Sequence, residues 1–220
     1  MIKEYSQKDI LEKENTRALY EASFDDPKEF VDYYYDDKCR DNRMIVSEEN
    51  GEIISMLHLN PYMVNLCGTT VQSYYVVAVA TKENRRHEGQ MSRVFEKTFE
   101  ILKKEHIPFI YLLPVDEAIY SPLGFEKVCD FSLDRISDYG EIKKNYDIYC
   151  ERDDDYIRRM NMEEELRKLD KGEVLPESPV MMAKITDLEA FSAVVGKELS
   201  NEHEALAWLK EKRIYLCEEV

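Results

Sequence analysis

Residues 85–92, Arg-Arg-His-Glu-Gly-Gln-Met-Ser, combine cationic side chains, a glycine and the start of a helical pattern. Those are the parts that hold a phosphate. The apolar run from Tyr74 to Ala80 ends shortly before them, and Val94, Phe95, Thr98, Ile101 and Leu102 follow at helical spacing. The first amides of a helix beginning near Gly89 have no internal acceptor, and the helix dipole makes that end partly positive. Glycine lets an anion approach the backbone, and Arg85 and Arg86 supply charge-assisted donors. The loop is neither the G-x-x-x-x-G-K-S/T loop nor G-x-G-x-x-G. Read from the glycine alone, an ordinary helix start with incidental arginines fits as well.

Other chemistries find less support. The five cysteines (Cys39, Cys67, Cys129, Cys150, Cys217) form no C-x-x-C pair, and their odd number in a chain without a leader reads as reduced thiols. His58, His87, His106 and His203 show no metal-ligand spacing, so no metal is expected. His58, in Met-Leu-His-Leu-Asn, reads as a structural histidine of a strand rather than a base. A net charge of −16 argues against a nucleic-acid partner and is compatible with a cationic substrate. No apolar run approaches the ~18–20 residues of a membrane span, and the charged N-terminus is no signal peptide. The expectation is a soluble, cytoplasmic protein that binds no membrane; nothing in the sequence opposes a homo-oligomer.

The elements that position the loop follow from periodicity. Residues 8–21 predict a helix with Ile10, Leu11, Thr16, Leu19 and Tyr20 on one broad face. Pro27 suits the first turn of a second helix over 25–37. Asn50-Gly51 between two β-rich runs predicts a hairpin, and Cys67-Gly68 marks another. The run 74–80 reads as a central strand buried on both faces. A helix follows, with Lys103, Lys104 and His106 in its last turn and Pro108 as its stop. A buried strand over 109–115 and a short helix or turn leading into a further strand complete the first 135 residues. The charged segment 138–172 has an apolar helical stripe that includes Tyr149, Tyr156, Ile157 and Met160. Residues 172–179 read as a linker. A strand and a helix capped by Thr186 or Asp187 come next, then a last helix and strand.

The string from Val79 to Val128, with Arg86-x-x-Gly89-x-Met91 and Ile-Tyr120-x-x-x-Gly-Phe, resembles the GNAT acetyltransferases. Their pyrophosphate loop is written R/Q-x-x-G-x-G/A; Met91 departs from it at the second small position. A bulky apolar residue there is usual in the Eis-like branch, which the wider string resembles. The resemblance implies an α/β fold with a GNAT-like mixed, mostly antiparallel central sheet flanked by helices, plus a small α+β C-terminal extension. It divides the chain into an acetyl-CoA-binding domain (1–137), a charged helical connector (138–175) and a C-terminal segment (176–220) like a truncated sterol-carrier-like domain. It also points to a bacterial source, since the middle segment looks like that of Eis-like proteins from Gram-positive bacteria.

By the same resemblance, backbone groups of Val77, Ala78 and Val79, reaching Thr81, face the pantetheine arm of acetyl-CoA. Arg86 and the amides of His87, Glu88, Gly89, Gln90, Met91 and Ser92 take the pyrophosphate. Val115 and Asp116 line the cofactor channel. Glu88 is awkward, because a carboxylate beside two phosphates repels them and must point away. Tyr120 matches the family's general acid: a phenol with a pKa near ~10 can protonate the departing thiolate. The Val220 carboxylate is expected to return towards Tyr120. The implied activity is direct transfer of an acetyl group from acetyl-CoA to a primary amine of a small molecule or a peptidyl lysine. The alternatives are a degenerate GNAT domain that binds CoA or another small ligand without catalysis, and a pure interaction module.

Overall fold

A computed structural model describes residues 1–132, 134–168 and 178–218. Nine strands form one sheet: β1 (Ile2–Tyr5), β2 (Arg43–Glu49), β3 (Glu52–Leu66), β4 (Thr69–Thr81), β5 (Phe109–Leu112), β6 (Glu126–Asp130), β7 (Ile148–Cys150), β8 (Val180–Ile185) and β9 (Ile214–Tyr215). The order is β1-β2-β3-β4-β5-β8-β6, with β7 on β3 and β9 on β7. The β4–β5 and β7–β9 pairings are parallel, and those of β1–β2, β2–β3, β3–β7, β5–β8 and β6–β8 are antiparallel. The mixed, mostly antiparallel sheet flanked by helices is therefore present.

Two compact units divide the chain. One holds residues 1–60, 76–98 and the stretch from Arg152 through helix α7 (Asp154–Arg167). The other holds 61–75, 99–151 and the stretch from β8 onward. Strands β3 and β4 run through both.

Both hairpins form where turn chemistry places them, with Asn50 and Gly51 at φ 53° and 80° and Cys67 and Gly68 at 52° and 96°. The predicted helix over 8–21 is instead two short ones, α1 (Ile10–Glu14) and α2 (Arg17–Glu21). The cause is a polar anchor. Lys13 is buried and donates to the Cys39 and Asn42 carbonyls at 2.7 and 2.6 Å. Thr16 is buried beside it, donating to the Lys13 carbonyl at 2.7 Å, with the Tyr35 hydroxyl at 2.9 Å. Turning Lys13 and Thr16 inward leaves Ile10 and Leu11, expected on the core face, 55% and 84% exposed. Helix α3 (Lys28–Asp36) forms inside the expected range 25–37, but Pro27 stands just before it as its N-cap residue and not in its first turn.

Helix α4 (Gln90–Lys104) buries Val94, Phe95, Thr98 and Leu102 along one face. It ends before Pro108: His106 adopts φ 57°, and the Ile107 amide returns to the Leu102 carbonyl at 3.0 Å. Helix α5 (Glu117–Tyr120) precedes β6, and α6 (Tyr139–Asn145) precedes β7. Tyr149, expected on a helical stripe, lies in β7. All six residues of β8 are buried, and this strand fills the place between β5 and β6, with Phe109 opposite Ile185 and Glu126 opposite Ala183. Asp187 caps α8 (Leu188–Val195) by accepting from the Ala190 amide at 3.0 Å, and Asn201 caps α9 (Glu202–Lys210). Most of residues 172–179, read as a linker, lie outside the described residues.

Candidate functional site

Strand β4 carries an irregularity near its C-terminal end. Ala78 adopts φ 52°, which is uncommon for a residue with a side chain. Pairing with β5 is confined to Tyr74–Ile110 and Tyr75–Tyr111. Beyond Tyr75 no described strand pairs with that edge of β4, so the backbone of Val77, Ala78 and Val79 lies on an open edge. Ala78 is buried, and Val77 and Val79 are half-buried.

After β4 the chain makes a single 3₁₀ turn (Glu83–Arg85) and extends at Arg86 (φ −67°, ψ 158°). His87 and Gly89 then take positive φ values of 64° and 72°, and α4 starts at Gln90. The first helical bond, from the Arg93 amide to the Gly89 carbonyl at 3.2 Å, leaves the preceding amides of α4 without helical acceptors. A Cβ built on Gly89 meets nothing within 4 Å, so the space before it is open. Successive amides with left-handed residues among them, at the positive end of a 15-residue helix, make an anion-binding concavity.

The charges around the loop are arranged in pairs. Arg85 donates to Glu88 at 2.8 Å and to Glu49 at 2.9 Å, which commits it to two carboxylates rather than to a phosphate. The same pairing eases the difficulty of Glu88, because its carboxylate is turned to Arg85, which it shares with Glu49. The Gln90 side chain is buried, accepting from Ser47 at 2.9 Å and donating to Glu49 at 3.2 Å. Arg85 and Gln90 together hold the Glu49 carboxyl below its ordinary pKa. Arg93 donates to the Glu88 and Gly89 carbonyls at 3.1 and 3.4 Å, pinning the loop from the helix. Arg86 is exposed, with one long contact of 3.4 Å to the Thr81 carbonyl. Met91 and Ser92 are half-buried. Glu49 and Arg93 were not found by sequence reasoning. Arg93 lies one turn past Gly89 and was legible by position; Glu49, far back in the chain, carried no signal.

The second candidate segment, in the other unit, is built differently. Asp116 is committed as the cap of α5, accepting from the Ala118 amide at 2.9 Å. Val115 is 78% exposed. Tyr120, the last residue of α5, is buried with its ring centre 6.0 Å from that of Phe125, edge to face. Burial pushes its phenol up to about 12. Gly124 ends the turn at φ 86° and approaches the Lys184 ammonium so closely that a Cβ would sit 2.8 Å from it. Val220 lies outside the described residues.

His58 is fully buried and stacked on Tyr34, its Nδ1 2.9 Å from the Tyr34 hydroxyl. Burial, helped by Lys13, pulls its imidazole down to about 3. It is a neutral interior group and faces no solvent. No group of three or more His, Cys, Asp or Glu side chains among the described residues is placed to hold a metal ion. No described helix is long and apolar enough to cross a membrane.

The sequence model of a family described as an acetyltransferase (GNAT) domain matches residues 4–128. The chain belongs to the GNAT acetyltransferase family. Among solved structures it is similar to a probable N-acyltransferase from Enterococcus faecalis V583, at 17% identity and a TM-score of 0.53, over 59% of this chain and 33% of that one. A GCN5-related N-acetyltransferase from Kribbella flavida gives 16% identity and a TM-score of 0.49, over 59% and 34%. A GNAT acetyltransferase from Brucella melitensis, in complex with acetyl-CoA, gives 19% identity and a TM-score of 0.45, over 57% and 82%. The chain thus spans about a third of the length of the first two. At such identity the E. faecalis likeness speaks for the fold. No curated protein matches the sequence.

Proposed function

We propose that this GNAT chain is an acyl-CoA-dependent N-acyltransferase, passing an acetyl group directly from acetyl-CoA to a primary amine. The observation that carries the reading is the left-handed pair His87 and Gly89 at the start of α4. In this reading the amides of His87 to Ser92 bind the pyrophosphate, and Arg86 is the cation left to it once Arg85 is tied to Glu49 and Glu88. The open edge of β4 at Val77, Ala78 and Val79 offers amides and carbonyls to the pantetheine arm. These residues fit the coenzyme: the donors are backbone, the loop carboxylate is turned to Arg85, and the space at Gly89 is open.

Acetyl-CoA supplies an activated acyl group on a thiol leaving group. The amine, neutral when it attacks, bonds through nitrogen to the acyl carbon and gives up its surplus proton to solvent. The carbon–sulfur bond breaks, and Tyr120 donates a proton to the leaving sulfur and is reprotonated from solvent. Val115 and Asp116 belong to the lining of the channel in this reading, and the Val220 carboxylate is its second catalytic group, beside Tyr120. The acceptor is a cationic small molecule or peptidyl lysine drawn by the negative field of a chain of charge −16. The bulky Met91 in the Arg86–Met91 pattern supports the Eis-like branch within this reading, and with it a cytoplasmic bacterial protein.

A second reading, coenzyme binding without turnover, is favoured by the burial of Tyr120. Each unit by which its pKa rises costs the acid about 1.4 kcal/mol of driving force. Calorimetric titration of acetyl-CoA into the wild type and Gly89→Trp tests the binding. Thiol release with a panel of amines, in the wild type and Tyr120→Phe, tests the chemistry. Binding lost in the first variant and turnover lost in the second is the expected pattern. Saturable binding with no turnover on any amine leaves the second reading standing, and absence of binding by the wild type sinks both.

A further inference from the structure

A cavity of about 790 Å³ lies wholly within the first unit. Its walls come from the α1–α2 junction, the β2–β3 hairpin and the start of the loop after β4. The volume is in the range of small-molecule sites. Its apolar lining is the buried Leu19 and Ile53 with the exposed Ala18, and Asn15 and Asn84 also line it.

The charges lining it are not alike in their commitments. Glu48 is paired with Lys3 at 2.7 Å, and Glu52 is paired with Lys82. Glu83 and Arg86 also line the cavity and belong to no ion pair among the described residues. They stand one turn apart, with the Arg86 amide on the Glu83 carbonyl at 3.3 Å. The cavity thus offers one uncommitted carboxylate, one uncommitted guanidinium and an apolar lining. An ion of a single sign placed there meets a partner and an opponent. A molecule carrying both signs satisfies both.

The geometry points to a binding site for a small zwitterion of the α-amino-acid type with an apolar side chain. Its ammonium pairs with Glu83, its carboxylate with Arg86, and its side chain rests on Leu19 and Ile53. Arg86 is also the first residue of the loop assigned above to the pyrophosphate. The zwitterion site is drawn from the cavity and does not rest on the coenzyme reading; where both hold, coenzyme and zwitterion share Arg86 and should compete for it.

L-leucine serves as the probe, with leucinamide, which lacks the carboxylate, and 4-methylpentanoate, which lacks the ammonium. Calorimetry on the full chain should show saturable L-leucine binding with a Kd at or below ~1 mM, and both analogues at least ~10-fold weaker. Glu83→Gln should weaken L-leucine and tighten 4-methylpentanoate, whose carboxylate loses its opponent. Arg86→Gln should weaken L-leucine and tighten leucinamide, whose ammonium loses its opponent. Both substitutions are at the surface, so thermal melting should show intact folding. Gly89→Trp should keep L-leucine binding whatever it does to CoA, which separates this site from the coenzyme reading. Absence of L-leucine saturation at tens of millimolar overturns the proposal, and so does equal binding of all three probes.

Discussion

The loop of residues 82–92 and the segment of residues 114–125 are the two stretches the family resemblance singles out, and they are built on opposite principles. The loop is exposed, rich in charge, and presents backbone. Its side chains mostly serve one another: Arg85 holds Glu49 and Glu88, Arg93 holds two carbonyls, and Gln90 bridges Ser47 and Glu49. The second segment presents a single buried phenol, on a helix of four residues capped by Asp116 and closed by Gly124. Binding spread over many amides tolerates the loss of any one side chain. Chemistry carried by one hydroxyl does not.

The sharpest way to break this contrast is Tyr120→Phe. If the phenol is the acid, turnover falls ~10²–10⁴-fold while CoA affinity stays within error. A matching fall in affinity would make Tyr120 a packing residue, as its contact with Phe125 allows. Gly89→Trp should act the other way. It fills the open space before the loop and strains a backbone at φ 72°, so CoA binding should weaken on the order of 100-fold, about 2.7 kcal/mol. Thermal melting separates that loss from unfolding.

Away from both stretches, His58 sets a pH dependence that the loop does not. Burial, helped by Lys13, pulls the folded imidazole down to about 3, against an ordinary value near ~6.5 in the unfolded chain. Between those values the unfolded state binds the extra proton, so stability is complete above the unfolded pKa and falls as pH drops, by about 1.4 kcal/mol per unit. Urea unfolding at pH 7 and pH 5 should show a steeper loss in the wild type than in His58→Gln. Equal losses would mean that His58 is hydrated and titrates normally.

How legible this was depends on range. The Asn50-Gly51 and Cys67-Gly68 hairpins, α4 and the loop before it all rest on short-range patterns, and the structure has them. The break at Thr16 was hidden, because Lys13 reads as a solvent residue until the Cys39 and Asn42 carbonyls are brought to it from later in the chain. The place of β8 between β5 and β6 was hidden for a similar reason. An apolar strand says that it is central but not which strands it joins. In the candidate site, Gly89 and Arg86 could be read locally. Glu49, the partner that decides what Arg85 is for, could not.

Gly124 gives a smaller and more local test of the second stretch. Alanine there meets a left-handed backbone and the Lys184 ammonium, which is held by Glu202 at 2.8 Å over the Phe99 ring. Gly124→Ala should cost about 1–2 kcal/mol from the backbone alone and more from displacing the lysine. In a Lys184→Met background the flexible side chain can give way, and only the backbone cost should remain. Equal costs in both backgrounds would mean that Lys184 moves aside freely.

The smallest expected effect sharpens the contrast most finely. His87 holds φ 64° with a full side chain, a conformation that glycine adopts without strain. His87→Gly relieves that strain and also adds freedom to the unfolded chain, so the net change in stability should stay within about 1 kcal/mol. What it does to CoA binding is the informative part. If the loop binds through its amides, the glycine keeps the same left-handed turn and affinity should change less than ~3-fold. If the imidazole itself contacts the phosphate, affinity falls more than that, and the loss should deepen at low salt, where a charged contact counts for most. The first result would leave the loop as a backbone device in which histidine is only tolerated. The second would make it resemble the Tyr120 segment, with one side chain carrying the function.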